Sequence, residues 1–143
     1  MYEKFGQFID GKWQPSEKNE TYEVINPANE EIIGHASKAT PADVDKALKS
    51  AEKGLEVWKK TSPWKRSSTI RKIADLIREK QDILAKWLTL EVGKPFAEGK
   101  GEAGATAEIF EWNSEETKRI YGQTVESRFE DTRVHLDYQP VGV

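Results

Sequence analysis

Apolar and polar positions change period twice along this chain. Up to about residue 39 they alternate in short runs. In "GQFIDGKWQ", Phe8 and Ile9 precede Asp10-Gly11, and Trp13 follows. Asp-Gly is the residue pair a two-residue type I′ turn requires, so this stretch predicts a β-hairpin. "TYEVINP" predicts a second extended segment, stopped by Asn26-Pro27, and "EEIIGHAS" a third. From residue 40 the spacing becomes helical. Thr40-Pro41-Ala42-Asp43 supplies an N-cap, a proline in the first turn and an acid at the third helical position. Val44, Ala47, Leu48, Ala51, Leu55 and Trp58 then recur at helical intervals. Ser62-Pro63 opens a second helix with the stripe Ile70, Ile73, Ala74 and Ile77. Ile83, Leu84, Trp87 and Leu88 mark a third, ended by Gly93 and Pro95. A fourth is expected from about Glu98 to Tyr121, with Ala103, Ala107, Phe110, Ser114, Thr117 and Tyr121 on one side and Gly122 as its stop. The alternation then returns. Val134, Leu136 and Tyr138 face one way and Arg133, His135 and Asp137 the other, a one-sided strand whose Pro140 suits a sheet edge.

Composition narrows what such a chain can do. At 143 residues it is the size of one ordinary domain. The hydrophobic fraction is only 36%, but the five Trp, five Phe and four Tyr argue against disorder. Net charge is −3, with interleaved signs, which gives no case for nucleic acid or an anionic membrane as partner. No apolar run reaches the length of a membrane span, and "MYEKFGQFIDGKW" lacks the apolar centre of a signal peptide. A cytoplasmic location is therefore expected. The sequence contains no cysteine, so this chain has no disulfide, thiolate nucleophile or cysteine metal site.

The segment "EGKGEAG" holds Gly99, Gly101 and Gly104 at the G-x-G-x-x-G spacing of a dinucleotide-binding turn. Such a turn needs its first glycine at the end of a strand, where the backbone bends beneath the pyrophosphate. Here six residues separate Val92 from Gly99, and the preceding "KWLTLEV" fits a helix better than a strand. Small residues Gly101, Gly104 and Ala105 are read instead as permitting close helix packing. His35 and His135 sit in separate extended segments with no acid or second histidine at ligand spacing, and read as strand-face residues. Glu108, Glu111, Glu115 and Glu116, with Lys118 and Arg119 nearby, read as a solvated face with pairs three or four residues apart. Ser67, Ser68 and Thr69 lack a partnered base and read as helix surface. These criteria describe an α+β domain without a visible active site.

Taken together and in order, "FIDGKW", "VINPANEEIIGHASKATPADVDKAL", "ADLIREKQDILA", "TLEVGKPFAEGKGE", "FEWNSEETKRIYG" and "YQPVGV" resemble the N-terminal segment of NAD(P)-dependent aldehyde dehydrogenases. "GKPFAEGKGE" and "FEWNSEETKRIYGQT" are most similar to the succinate-semialdehyde dehydrogenase branch. The resemblance covers all 143 residues but only the first third or so of that family's usual length. It implies an α+β piece of an α/β fold: an N-terminal β-hairpin region over 5–39, about four helices over 40–121 and a C-terminal edge strand. Residues 1–122 would begin the cofactor-binding domain and 123–143 the oligomerisation arm, with the Rossmann core and catalytic domain absent. It further implies an intact enzyme that oxidises an aldehyde, such as succinic semialdehyde, to its acid with NAD or NADP. The family's nucleophilic cysteine, general base and cofactor loop have no counterparts among these positions. No catalytic residue, turnover or tight NAD(P) binding is therefore expected of this chain.

The site residues the resemblance carries over are few. A backbone carbonyl of Val24 or Ile25, with the Glu91 carboxylate, matches positions that hold a monovalent cation in some family members; a carboxylate with carbonyls suits a hard cation. The alternative is an exposed Glu91 near a helix end. Ala105 and Ile109 match the wall of the substrate tunnel, with core packing as the alternative. Thr132, Val134, Leu136 and Tyr138 lie on the strand 132–139, which matches the arm that pairs strands across subunits of a homo-oligomer. The expected partner is the remainder of the same enzyme; a stand-alone, non-catalytic interaction module with the same pattern is the alternative.

Overall fold

The computed structural model describes residues 6–143, so residue 5, where the β region was expected to begin, and the four residues before it lie outside the described residues. The first hairpin forms as its turn dictates. β1 (Gln7–Ile9) pairs antiparallel with β2 (Lys12–Gln14), with Phe8 opposite Trp13 and their ring centroids 5.2 Å apart. Asp10 and Gly11 take φ values of 55° and 74°, the two positive torsions of a type I′ turn. β3 (Thr21–Ile25) and β4 (Ile32–Ser37) pair antiparallel, with a register shift between Val24, opposite Gly34, and Ile25, opposite Ile32.

Four helices follow: α1 (Pro41–Trp58), α2 (Pro63–Glu79), α3 (Gln81–Val92) and α4 (Phe96–Glu116). α1 opens on a complete capping box: the Asp43 N–H donates to Thr40 Oγ1 at 3.2 Å, and the Thr40 N–H donates to Asp43 Oδ2 at 2.9 Å. The Ser62 hydroxyl caps α2 by accepting from the Lys65 N–H. α3 ends at Gly93, whose φ of 75° is the left-handed conformation of a C-terminal glycine stop. α4 stops earlier than its period suggests. It gives way at Thr117 to one 3-10 turn (Thr117–Arg119), and Gly122 does not adopt a positive φ. Gly122 is small for another reason: a Cβ there would lie 2.6 Å from the Leu136 carbonyl oxygen. The chain closes with β5 (Gln123–Glu126) and β6 (Arg133–Leu136), an antiparallel pair. The last strand is thus four residues long, not eight, and one of its edges is already paired.

The core lies along α4 and is built from small residues. Gly99, Ala103, Ala107 and Ser114 are buried on one side of α4, against Ala85 of α3 and Ala74 and Ser67 of α2. Spacings of four and seven residues keep these α4 positions on one stripe, which lets the backbones approach closely. Outside this seam the covering is thin. A compact monomer of this mass exposes roughly 7,500 Å², whereas this chain exposes 11108 Å². Exposed apolar residues include Val44, Leu48 and Trp58 on α1 and Val125, Val134 and Leu136 of the hairpin β5–β6, which is exposed throughout. Among the described residues, no helix is long and apolar enough to cross a membrane.

Candidate functional site

The glycine motif is not a phosphate turn. It lies inside α4, more than two residues past the helix start at Phe96. A Cβ on Gly99 would meet the Ala85 carbonyl oxygen at 3.1 Å and Leu88 Cβ at 3.4 Å, so the space a pyrophosphate would need is filled by α3. Gly104 approaches the Gln81 amide, which donates to the Lys100 carbonyl at 2.8 Å. Gly101, by contrast, faces open space and Ala105 is exposed. Close packing therefore falls on Gly99 and Gly104, and assigning it to Gly101 and Ala105 is incorrect. One turn of helix puts those two on the outward face.

The expected cation ligands come from elements that meet at one corner. β3 ends in the Asn26–Pro27 turn, and Pro27 Cγ would stand 3.1 Å from a Cβ on Gly93, two residues after Glu91. Val24 is half-buried, Ile25 is exposed, and the register shift falls between them. Bulges of this kind re-aim backbone groups. Glu91 is exposed on the last turn of α3 and borders an apolar cleft of 380 Å³. Ile77, Leu84, Trp87 and Leu88 line that cleft. Glu102 shares the border and pairs with Lys94, whose ammonium is held charged above its ordinary range chiefly by that hydrogen bond. Among the described residues, no three His, Cys, Asp or Glu side chains cluster to hold a metal.

Ala105 and Ile109 are not core residues: Ile109 is 61% exposed and shares the outer face of α4 with Trp112. Thr132, Val134, Leu136 and Tyr138 are all exposed, but only Val134 and Leu136 belong to β6. Val134 stands opposite Val125, and Leu136 opposite Gln123. Both histidines are strand-face residues, as their surroundings in the sequence suggested. His35 pairs with Glu23 in the ladder, and Thr124 Oγ1 lies 3.2 Å from His135 Nδ1.

Two arrangements were not legible in the pattern. Glu115 and Glu116 do form local pairs, with Lys118 at 2.6 Å and Arg119 at 2.8 Å. Glu111 instead crosses to α2, binding Arg71 at 2.8 Å and also Arg78. Asp43 does more than cap α1. Its carboxylate also accepts the Glu17 N–H at 3.1 and 3.2 Å and the Gln7 amide at 3.5 Å, tying hairpin and loop to the helix. These contacts hold Asp43 at about 2, below its ordinary 3.8; the Thr40 N–H is the largest cause and burial opposes it.

With this geometry in hand, the likeness to known proteins is specific. Residues 13–143 match the model of the aldehyde dehydrogenase family. The chain belongs to that family. Glutarate-semialdehyde dehydrogenase from Pseudomonas aeruginosa is 40% identical over 136 residues, covering 95% of this chain and 28% of that protein. Succinate semialdehyde dehydrogenase from Acinetobacter baylyi is 38% identical, over 94% of this chain and 28% of its own length. An NADP-dependent enzyme from E. coli superposes with a TM-score of 0.88 at 35% identity, over 94% of this chain and 28% of that one. A point mutant of betaine aldehyde dehydrogenase from Staphylococcus aureus, in complex with NAD+, gives 0.85 at 30% identity, over 91% and 26%. This aldehyde dehydrogenase chain thus spans little more than a quarter of the length of the relatives it matches. The α+β arrangement of four helices and small sheets is that of the corresponding part of the family's structures. The one dinucleotide-like spacing it contains does not fit NAD(P), because α3 occupies the place of the pyrophosphate.

Proposed function

We propose that this chain serves as the N-terminal scaffold of an aldehyde dehydrogenase that converts a dicarboxylic semialdehyde to its diacid with NAD or NADP. The observation that carries the reading is the family match over residues 13–143, with semialdehyde dehydrogenases among its relatives. The uncovered apolar faces of α1 and α4 support it, since they suit helices that pack on further polypeptide. In this reading β5–β6 contributes a subunit contact to a homo-oligomer, Ala105 and Ile109 border the substrate passage, and Glu91 with a carbonyl of Val24 or Ile25 helps hold a monovalent cation. The site of action is the cytoplasm. Without a cysteine the chain by itself cannot form the thiohemiacetal from which hydride is transferred, so it has no turnover of its own.

The test is to read the coding sequence beyond Val143 and assay both its full product and the 143-residue chain. The expected result is a downstream cysteine, NAD(P)H formation from succinic or glutaric semialdehyde by the full product, and none by the chain. A stop codon directly after Val143 would overturn the enzyme reading in favour of an interaction module. NADH formation by the chain itself would overturn its assignment as scaffold.

A further inference from the structure

A second concavity lies apart from the glycine motif on α4 and from the corner at Glu91. The hairpin β1–β2 stands beside α1 and encloses a cleft of 290 Å³ with it. Ile9 lies at its base, itself buried. Lys46, Lys49 and Lys53 line the α1 side, with Ser50 between them; Asp10 and Gln14 line the hairpin side. Spacings of three and four residues put these lysines on one face of the helix, with Cβ atoms roughly 5–6 Å apart at each step. Lys46 has a long contact to Asp43, 3.8 Å, but that carboxylate is already saturated by backbone and side-chain donors. Lys49 and Lys53 have no ion-pair partner among the described residues. Three lysines, Ser50 and Gln14 thus line one cleft among whose lining residues the single carboxylate is that of Asp10. Lysine donors are point charges on flexible stems, suited to ligands with several charged oxygens rather than to one planar carboxylate.

We propose that the cleft between hairpin β1–β2 and α1 binds a small multivalent oxyanion through Lys46, Lys49 and Lys53. The inference does not rest on the proposed dehydrogenase activity, because it is argued from the cleft's own lining residues. Oligophosphates and dicarboxylates share the required chemistry, and the volume admits either.

The experiment is a titration of the isotope-labelled 143-residue chain followed by amide chemical shifts. Its arms are sodium tripolyphosphate, glutarate, and acetate at matched ionic strength. A saturable response to tripolyphosphate or glutarate is expected at residues 9–14 and 46–53, with none to acetate, and the stronger arm identifies the class. In water a charge contact at about 4 Å is worth roughly a fivefold change in affinity, so Lys49→Glu with Lys53→Glu should weaken binding at least about tenfold. Lys53→Arg should retain it. If the double charge reversal disturbs the helix by circular dichroism, Lys49→Gln with Lys53→Gln reads the same loss. Equal, unsaturable shifts around Lys65, Lys72, Lys80 and Lys86, or unchanged binding in the double variants, would overturn the proposal.

Discussion

Gly99 and Gly101 lie two residues apart on α4 and receive the same substitution in opposite environments. Alanine in a helix interior is favoured over glycine by about 1 kcal/mol, and that gain applies at both positions. At Gly101 a new Cβ meets nothing within 4 Å, so Gly101→Ala should stabilise the chain by most of that amount. At Gly99 the new Cβ meets the Ala85 carbonyl oxygen at 3.1 Å, the Ala85 Cα at 3.4 Å and the Leu88 Cβ at 3.4 Å. Two of those atoms are backbone, which cannot swing aside as a side-chain tip can. α3 and α4 must separate by a few tenths of an ångström along a seam that includes Ala103 and Ala107, and the helix gain is cancelled or reversed. The two variants should therefore differ by about 1 kcal/mol or more, roughly 4 °C in melting temperature for a chain of this size. Gly99→Leu inserts a full side chain into the seam and should cost about 1–3 kcal/mol or more. Thermal unfolding followed by far-UV circular dichroism, checked by urea titration, measures all three. Equal stabilisation by Gly99→Ala and Gly101→Ala would refute the packing account of the glycine motif.

Other outcomes follow from particular contacts. Asp43 is held at about 2 against an ordinary 3.8, so its contribution is fully present above about pH 4 and is lost as pH falls through about 2. Acid titration followed by Trp13 fluorescence should show the hairpin loosening in that window, and Asp43→Asn should remove the transition while destabilising the hairpin at neutral pH. Glu111→Gln should weaken the α2–α4 contact by less than about 1 kcal/mol, since the ion pairs with Arg71 and Arg78 are partly exposed; a double-mutant cycle with Arg71→Gln isolates the coupling, and a coupling of zero would count against the bridge. The exposed face of β5–β6 should make the chain self-associate with concentration in sedimentation. Val134→Lys, which puts a charge opposite Val125, should restore the monomer; association unchanged by it would place the contact elsewhere.

The features the sequence determined alone are those decided within a few residues. Asp10-Gly11 satisfies the positive torsions of its turn, Thr40 and Asp43 satisfy each other's backbone N–H groups, and Gly93 accepts the left-handed torsion that ends α3. Each is a steric or hydrogen-bonding requirement met by its own neighbours. Tertiary structure decided what depends on a second element arriving. It selected Gly99 rather than Gly101 for the seam because only Gly99 meets the α3 backbone. It buried Ser67, which the pattern placed on the surface, because that residue faces α4. It drew Glu111 across to α2, and it gave β6 a partner in β5, a strand the alternation of "QTVE" was too short to reveal. It also left the stripe of α1 half bare. Periodicity fixes which residues share a face, but not whether anything covers that face, because burial depends on chain far away in sequence.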